Sequence, residues 1–183
     1  PSPISAMLSG ILIETALYGF IRVLYLIYEP GTFTLPIAVL AVVTMCLANV
    51  LALLQQDLKR MLAYSSIAQV GYMLVGLSAG TAFGIQGVLL HVFNHSLMKG
   101  LAFFSAGSLI HNTNSREIDN MKGLAKTMPI TSLTMFIAMM GLGGVPGTNG
   151  FISKFILFSS AFGVGLWWLG LLGVLNSALS MAY

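Results

Sequence analysis

Four long stretches of this chain carry no Asp, Glu, Lys or Arg: residues 30–56, 61–98, 127–153 and 155–183. Each exceeds the roughly 20 apolar residues that take an α-helix across a bilayer. A soluble amphipathic helix needs a polar face, and these stretches supply none. A membrane barrel would alternate apolar and polar residues over strands of about ten, and no such alternation is present. The chain therefore reads as an all-α, multi-pass integral membrane protein.

Composition agrees. Charged residues make up 7% and hydrophobic residues 57%, whereas soluble domains carry about 25% charged residues. An ordinary cytosolic enzyme and a disordered segment are both excluded. The single Cys46 rules out a disulfide framework, a zinc-finger spacing and an iron–sulfur cluster. The net charge of +3 is too scattered for a nucleic-acid surface. No phosphate loop and no dinucleotide fingerprint occurs, so the residues offer no redox or hydrolytic chemistry, no catalytic residues and no cofactor or metal site. The chain starts at Pro1 and stops at Tyr183 inside an apolar run, and we expect it to be a piece of a longer one.

About seven spans are expected. The first covers residues 4–28 and stops at Glu29-Pro30-Gly31. The second follows Pro36 and runs through Gln55. The third covers about 67–79 and the fourth about 83–110. A polar loop, 111–126, holds Arg116, Glu117, Asp119, Lys122 and Lys126. The fifth span covers about 128–142, the sixth starts near Gly150 and the seventh near Trp167. Two places admit alternatives. The block Asp57-Leu58-Lys59-Arg60 is either a tight turn or the inside of one helix ending at Ser65 and Ser66. The segment 141–150 holds five glycines and a proline, and cannot sustain a regular helix. It is either a surface loop or a break at membrane depth, which occurs where backbone lines a buried or hydrated cavity. If the spans alternate, the Asp57–Arg60 block and the 111–126 loop share one side. Their basic residues would make that side cytoplasmic.

A charge at bilayer depth costs several kcal/mol, so each one is a functional candidate. Glu14 lies well inside the first span and is either a protonated packing residue or a titrating group. His91, His95 and Lys99 recur every four residues, which places them on one helix face over about 12 Å. Imidazole both donates and accepts a proton, and an amine kept from water can exchange one. The face suits proton hopping; the alternative is two core histidines with Lys99 snorkelling. A metal site there lacks carboxylate or thiol neighbours. Lys154 snorkels if 141–150 is a surface loop, and lies in a cavity if it is a break. Asn94, Asn149, Thr148, Gln69 and Ser65 are candidate polar links between helices. Trp167, Trp168, Tyr25 and Tyr28 fit aromatic belts.

Four blocks in order carry a resemblance. They are Pro1–Gly10 (PSPISAMLSG), Gln56–Tyr72 (QDLKRMLAYSSIAQVGY), His91–Phe104 (HVFNHSLMKGLAFF) and Gly144–Lys154 (GVPGTNGFISK). Together they resemble the antiporter-like membrane subunits of respiratory complex I, of Mrp-type cation/proton antiporters and of energy-converting membrane hydrogenases. The resemblance covers essentially the whole chain. It implies a fold of about fourteen helices containing two inverted repeats of five, each with one broken helix. Residues 1–66 would then end the first repeat, within its broken helix and the next helix. Residues 67–183 would form a truncated second repeat, and 141–150 would lead into its broken helix.

The resemblance also implies roles. Lys59, Lys99 and Lys154 match lysines of a hydrated polar axis for proton or Na⁺/H⁺ translocation, and His91 and His95 match histidines on it. Asp57, Asn94 and Asn149 would be supporting polar residues. The family motif Ser-Gly-x-x-x-Lys has Glu14 in place of its lysine, and that lysine normally pairs with a glutamate from an earlier helix. Lys59 then becomes the candidate partner of Glu14, and the first half-channel is expected to be altered. The expected partners are other membrane subunits with a peripheral redox arm, and the expected location is a prokaryotic cell membrane rather than a mitochondrial one. A stand-alone secondary transporter and a structural scaffold are the competing functions.

Overall fold

The structure, a computed structural model, describes residues 2–29 and 31–183. Pro30, within the expected stop of the first span, lies outside the described residues, as does Pro1. Seven helical rods follow one another. The first joins α1 (Ser2–Met7) to α2 (Ile13–Ile27) through a π-helical turn at Leu8–Leu12. The others are α3 (Thr34–Leu53), α4 (Leu58–Ser78), α5 (Ala82–Thr113), α6 (Pro129–Gly143), α7 (Asn149–Gly163) and α8 (Trp167–Leu179). Among the described residues three rods are long and apolar enough to cross a bilayer: Ser2–Ile27, Thr34–Leu53 and Leu58–Ser78. The 32 residues of α5 reach about 48 Å. By contrast α6, α7 and α8 have 15, 15 and 13 residues, each short of the ~20 needed to span alone.

The first rod is continuous, as the span over 4–28 leads one to expect. Residues 2–27 stay helical, and the irregularity is one widened turn. Such turns cluster at functional sites. The Asp57–Arg60 ambiguity resolves as a turn over 54–57, after which Leu58, Lys59 and Arg60 begin α4. α3 stops at Leu53, and Asp57 caps α4 by accepting the Arg60 N–H at 3.0 Å. A single helix carrying Lys59 and Arg60 inward is therefore overturned: Arg60 is exposed and Lys59 half-buried. The cap wins because it satisfies a first-turn amide that the helix leaves unpaired. The expected shared side is observed. The Leu58 N–H bonds the Arg116 carbonyl at 3.0 Å, and the Ile118 N–H bonds the Gln56 carbonyl at 3.0 Å. Asp57→Ala should remove about 1 kcal/mol of local stability, read as faster amide exchange at Arg60.

Small residues set the packing, as expected where lipid removes the hydrophobic drive between helices. α3 turns Ala38, Ala41, Met45, Ala48 and Ala52 inward against α4. A Cβ on Gly71 would sit 2.8 Å from the Met45 backbone nitrogen, so the two helices approach at backbone contact there. The outward faces carry Leu26, Leu54, Ile130 and other exposed apolar residues. The long α5 runs through the middle, against α1, α4, α6 and α7. Its inner face therefore meets most of the other helices.

A buried polar row as the candidate functional site

Glu14 stands in the first turn of α2, just after the π-helical turn. The chain can come close to α5 there because residue 10 is glycine: a Cβ would lie 3.2 Å from the Ser96 carbonyl oxygen. Glu14 is 3% exposed, and among the described residues it is the one buried carboxylate. Its Oε1 lies 2.5 Å from His95 Nδ1, and its Oε2 accepts from the Ser96 hydroxyl. The expected partner was Lys59. The structure pairs Glu14 with His95 instead, and Lys59 lies half-buried in the first turn of α4.

The inner face of α5 behaves as its spacing predicts. His91, His95 and Lys99 are each 0% exposed. The imidazoles stack with centroids 6.3 Å apart and planes 20° from parallel. Lys99 does not snorkel. Its amine donates to the Leu62 carbonyl at 2.7 Å and contacts the Ser65 hydroxyl, both on α4. Ser66, next along α4, meets Ser9 of the π-helical turn. Lys99 is thus held between α4 and the first rod.

His91 continues the row. Its Nε2 lies 3.0 Å from Gln69 Oε1, and its Nδ1 lies 2.8 Å from the Ser153 hydroxyl. Gln69 in turn donates to the Leu142 carbonyl at 3.0 Å. The same carbonyl accepts from the Lys154 amine at 2.7 Å.

Lys154 is held by the end of α6. The left-handed Gly144 (φ +79°) terminates that helix, and α7 begins at Asn149 behind the Thr148 cap. The terminal carbonyls of α6 are unpaired and carry the negative end of the helix dipole. The Lys154 amine takes two of them, Leu142 and Gly143 (3.2 Å), together with the Ser177 hydroxyl at 3.0 Å. It also lies 4.6 Å from the centroid of the Tyr72 ring. At 3% exposure it does not snorkel; the interruption at 144–148 creates a carbonyl socket for it. Gly150 makes the socket compact, since a Cβ there would collide with the Gly141 carbonyl.

Beyond Tyr72 the polar contacts go on. Asn49 donates to the Tyr72 hydroxyl at 2.9 Å and accepts from the Tyr183 hydroxyl at 2.9 Å. Asn176 is within 3.2 Å of the Asn49 amide nitrogen. Both ends of the row open onto cavities. One of about 290 Å³, lined by Glu14, Thr15, Tyr18 and Ser96, adjoins the Glu14 end. One of about 400 Å³, lined by Lys154, Phe155, Phe158 and Ser177, adjoins the other.

Off the direct row lie Lys59, Asp57 and Asn94; Lys99 branches from it, and Asn149 meets it only through its backbone. Lys59 and Asp57 sit at the α4 cap. Lys59 is one turn from Leu62, whose carbonyl binds Lys99. Asn94 and Asn149 hold each other, through Asn94 Nδ2 to the Asn149 carbonyl (3.0 Å) and Asn149 Nδ2 to Asn94 Oδ1 (3.1 Å). They clamp α5 to the start of α7, and Ser153 shares the Asn149 carbonyl. Sequence reading missed Ser96, Ser153, Tyr72, Asn49, Asn176 and Ser177. Serines are frequent in membrane helices and carry no spacing signal. Asn49 was findable, as an amide inside an otherwise apolar span.

The family profile described as NADH:quinone oxidoreductase/Mrp antiporter, TM, matches residues 1–180. The chain belongs to this family. It is an integral, multi-pass membrane protein. This antiporter-family chain is 36% identical to NADH-quinone oxidoreductase subunit N of Desulforudis audaxviator, over 100% of its own length and 37% of that protein. It is 40% identical to F(420)H(2) dehydrogenase subunit N of Methanosarcina mazei, over 79% of its length and 31% of that protein. Its fold matches a chain of the membrane-bound sulfane sulfur reductase, an archaeal respiratory membrane complex. There the TM-score is 0.93 at 34% identity, covering 100% of this chain and 38% of that one. The antiporter-family chain thus spans about a third of the length of these relatives.

Proposed function

We propose that this chain forms the ion-conducting part of a membrane subunit in a complex of the complex I, Mrp or membrane-hydrogenase type. It moves H⁺, or exchanges Na⁺ for H⁺, in response to electron transfer or charge movement in partner subunits. The observation that carries this reading is the row from Glu14 through His95, His91 and Gln69 to Lys154. It crosses an apolar bundle and has a cavity at each end. Intramembrane ionisable groups are costly and mark ion paths. Two buried amines and one buried carboxylate leave the row unevenly charged. A proton arriving at one site therefore raises the cost of a charge at the others. Lys99 branches from the row toward α4, and Lys59 lies one turn nearer the surface as its entry.

The family's repeat architecture fits the helix order. The five helices α4–α8 correspond to one repeat, and the first rod with α3 to the last two helices of another. Residue 66 lies inside α4, so the turn at residues 54–57 makes a better boundary than 66. The pattern Gly10-x-x-x-Glu14 in the first rod matches Gly150-x-x-x-Lys154 in α7, each glycine giving close backbone approach. The two ends of the row are thus equivalent positions of the two repeats, within a fold of about fourteen helices. The basic side holding Lys59, Arg60 and the 111–126 loop faces the cytoplasm of a prokaryotic cell.

The test reconstitutes the complex containing this chain into sealed vesicles. Electron donor is added, and internal pH and ²²Na⁺ uptake are followed. Ion movement that stops with electron transfer is expected. Electron transfer at full rate with neither ion moving, in vesicles shown to be tight, overturns the proposal.

A further inference from the structure

We infer that Gln69 and Glu14 hold His91 and His95 in opposite tautomers, so that each imidazole keeps one fixed proton and presents one chosen nitrogen for exchange. This deepens the reading of the row as an ion path, and names two positioning residues within it.

The argument is donor and acceptor accounting. The Gln69 amide is anchored by the Leu142 carbonyl, 3.0 Å from Nε2. A carbonyl only accepts, so the nitrogen of Gln69 faces Leu142 and its Oε1 faces His91. That oxygen also only accepts, so His91 Nε2, 3.0 Å away, carries the hydrogen. In neutral His91 the bare lone pair is then on Nδ1, where the Ser153 hydroxyl donates at 2.8 Å. When His91 gains a proton, Nδ1 becomes a donor. Ser153 can then accept from it and turn its own hydrogen to the Gly150 carbonyl at 3.1 Å. Both charge states of His91 are fully hydrogen-bonded, and the difference between them is one hydroxyl rotation.

His95 is wired the other way. Its Nδ1 faces Glu14 Oε1. The one Ser96 hydrogen goes to Glu14 Oε2 or to the Val92 carbonyl at 3.0 Å, and either way Glu14 Oε1 is free to accept from His95. His95 therefore carries its hydrogen on Nδ1. Its Nε2 is buried and, among the described residues, has no hydrogen-bond partner. The alternative moves the proton to Glu14 and places the imidazole hydrogen on Nε2. That would bury an N–H donor with nothing to accept it, which native structures almost never do. A bare acceptor is the cheaper orphan. The stacked rings thus share the α5 face with their exchangeable nitrogens on different atoms: Nδ1 of His91 toward α7, and Nε2 of His95 within the bundle.

The test is ¹⁵N NMR of histidine-labelled protein, as the full-length subunit in its complex, in lipid. Protonated and bare ring nitrogens have well-separated shifts, and His91→Asn and His95→Asn assign the two residues. One ring protonated on Nε2 and the other on Nδ1 is expected, with His91 the Nε2 form. In Gln69→Leu, which removes the acceptor at Nε2, His91 should move its hydrogen to Nδ1 and donate to Ser153. In Gln69→Glu, which keeps an acceptor oxygen, His91 should stay as in wild type. In Glu14→Leu, His95 should lose its Nδ1 form. The same tautomer at both histidines in the wild-type protein overturns the inference, as does a His91 unchanged by Gln69→Leu. The wild-type spectrum alone decides if a variant fails to fold. Because the spectra are read without transport, they stand or fall separately from the ion-path proposal.

Discussion

Lys154→Ala is expected to lower ion transport by the assembled complex at least about a hundredfold, the usual loss when a positioned proton-exchanging group is removed. The substitution takes the amine from the Leu142 and Gly143 carbonyls and the Ser177 hydroxyl. It also cuts the row at the Leu142 carbonyl, while Gln69 keeps its bond there and His91 stays tied to α7 through Ser153. A cavity of about 400 Å³ lined by Gly144, Lys154 and Ser177 lies beside the end of α6, and the lost side chain would enlarge it. Water can enter to satisfy the α6 carbonyls, so assembly should survive. The measurement pairs subunit content of the purified complex with dye-detected proton uptake in vesicles. Normal uptake from a fully assembled variant would mean that the row does not conduct.

Glu14→Gln should have the second-largest effect, a loss of transport of roughly a hundredfold with assembly retained. Glutamine is isosteric, and its oxygen can still accept from His95 Nδ1. Packing and one hydrogen bond therefore persist. What disappears is the one buried carboxyl among the described residues, the group that can exchange a proton beside His95. A buried pair broken on one side leaves an uncompensated charge, so the row should no longer accept a proton at this end. Initial rates of uptake in vesicles, normalised to electron transfer, measure it. If Glu14→Gln pumps like wild type, Glu14 is a packing residue and the row begins at His95.

Much of the site was legible because expense marks it. In spans with almost no charge, Glu14, Lys99 and Lys154 stood out one by one, and the four-residue spacing put His91, His95 and Lys99 on one face before any packing was known. The residues that link them were not legible. Gln69 was recognised as a polar link, but its partners were not, since Leu142 and His91 lie 73 and 22 residues away in sequence. Ser153 and Ser96 look like any serine in a membrane helix. Their role comes from facing a ring nitrogen or a carboxylate across a helix interface. The expected pairing of Lys59 with Glu14 misled for the opposite reason. Lys59 belongs to a block that matches the family, yet the Asp57 cap ends the turn there and leaves Lys59 half-buried at the α4 start.

The sequence by itself determined the membrane setting, the all-helical class, the family and most of the charged positions. These follow from composition and local spacing, because each apolar run must satisfy its own backbone and must bury whatever charge it carries. Tertiary structure decided the pairing of Glu14 with His95 rather than Lys59, the carbonyl socket of Lys154 and the joining of the row through Leu142. Those depend on which helix faces which, and on the close approaches that glycines 10 and 150 permit. No pattern within a single span encodes them.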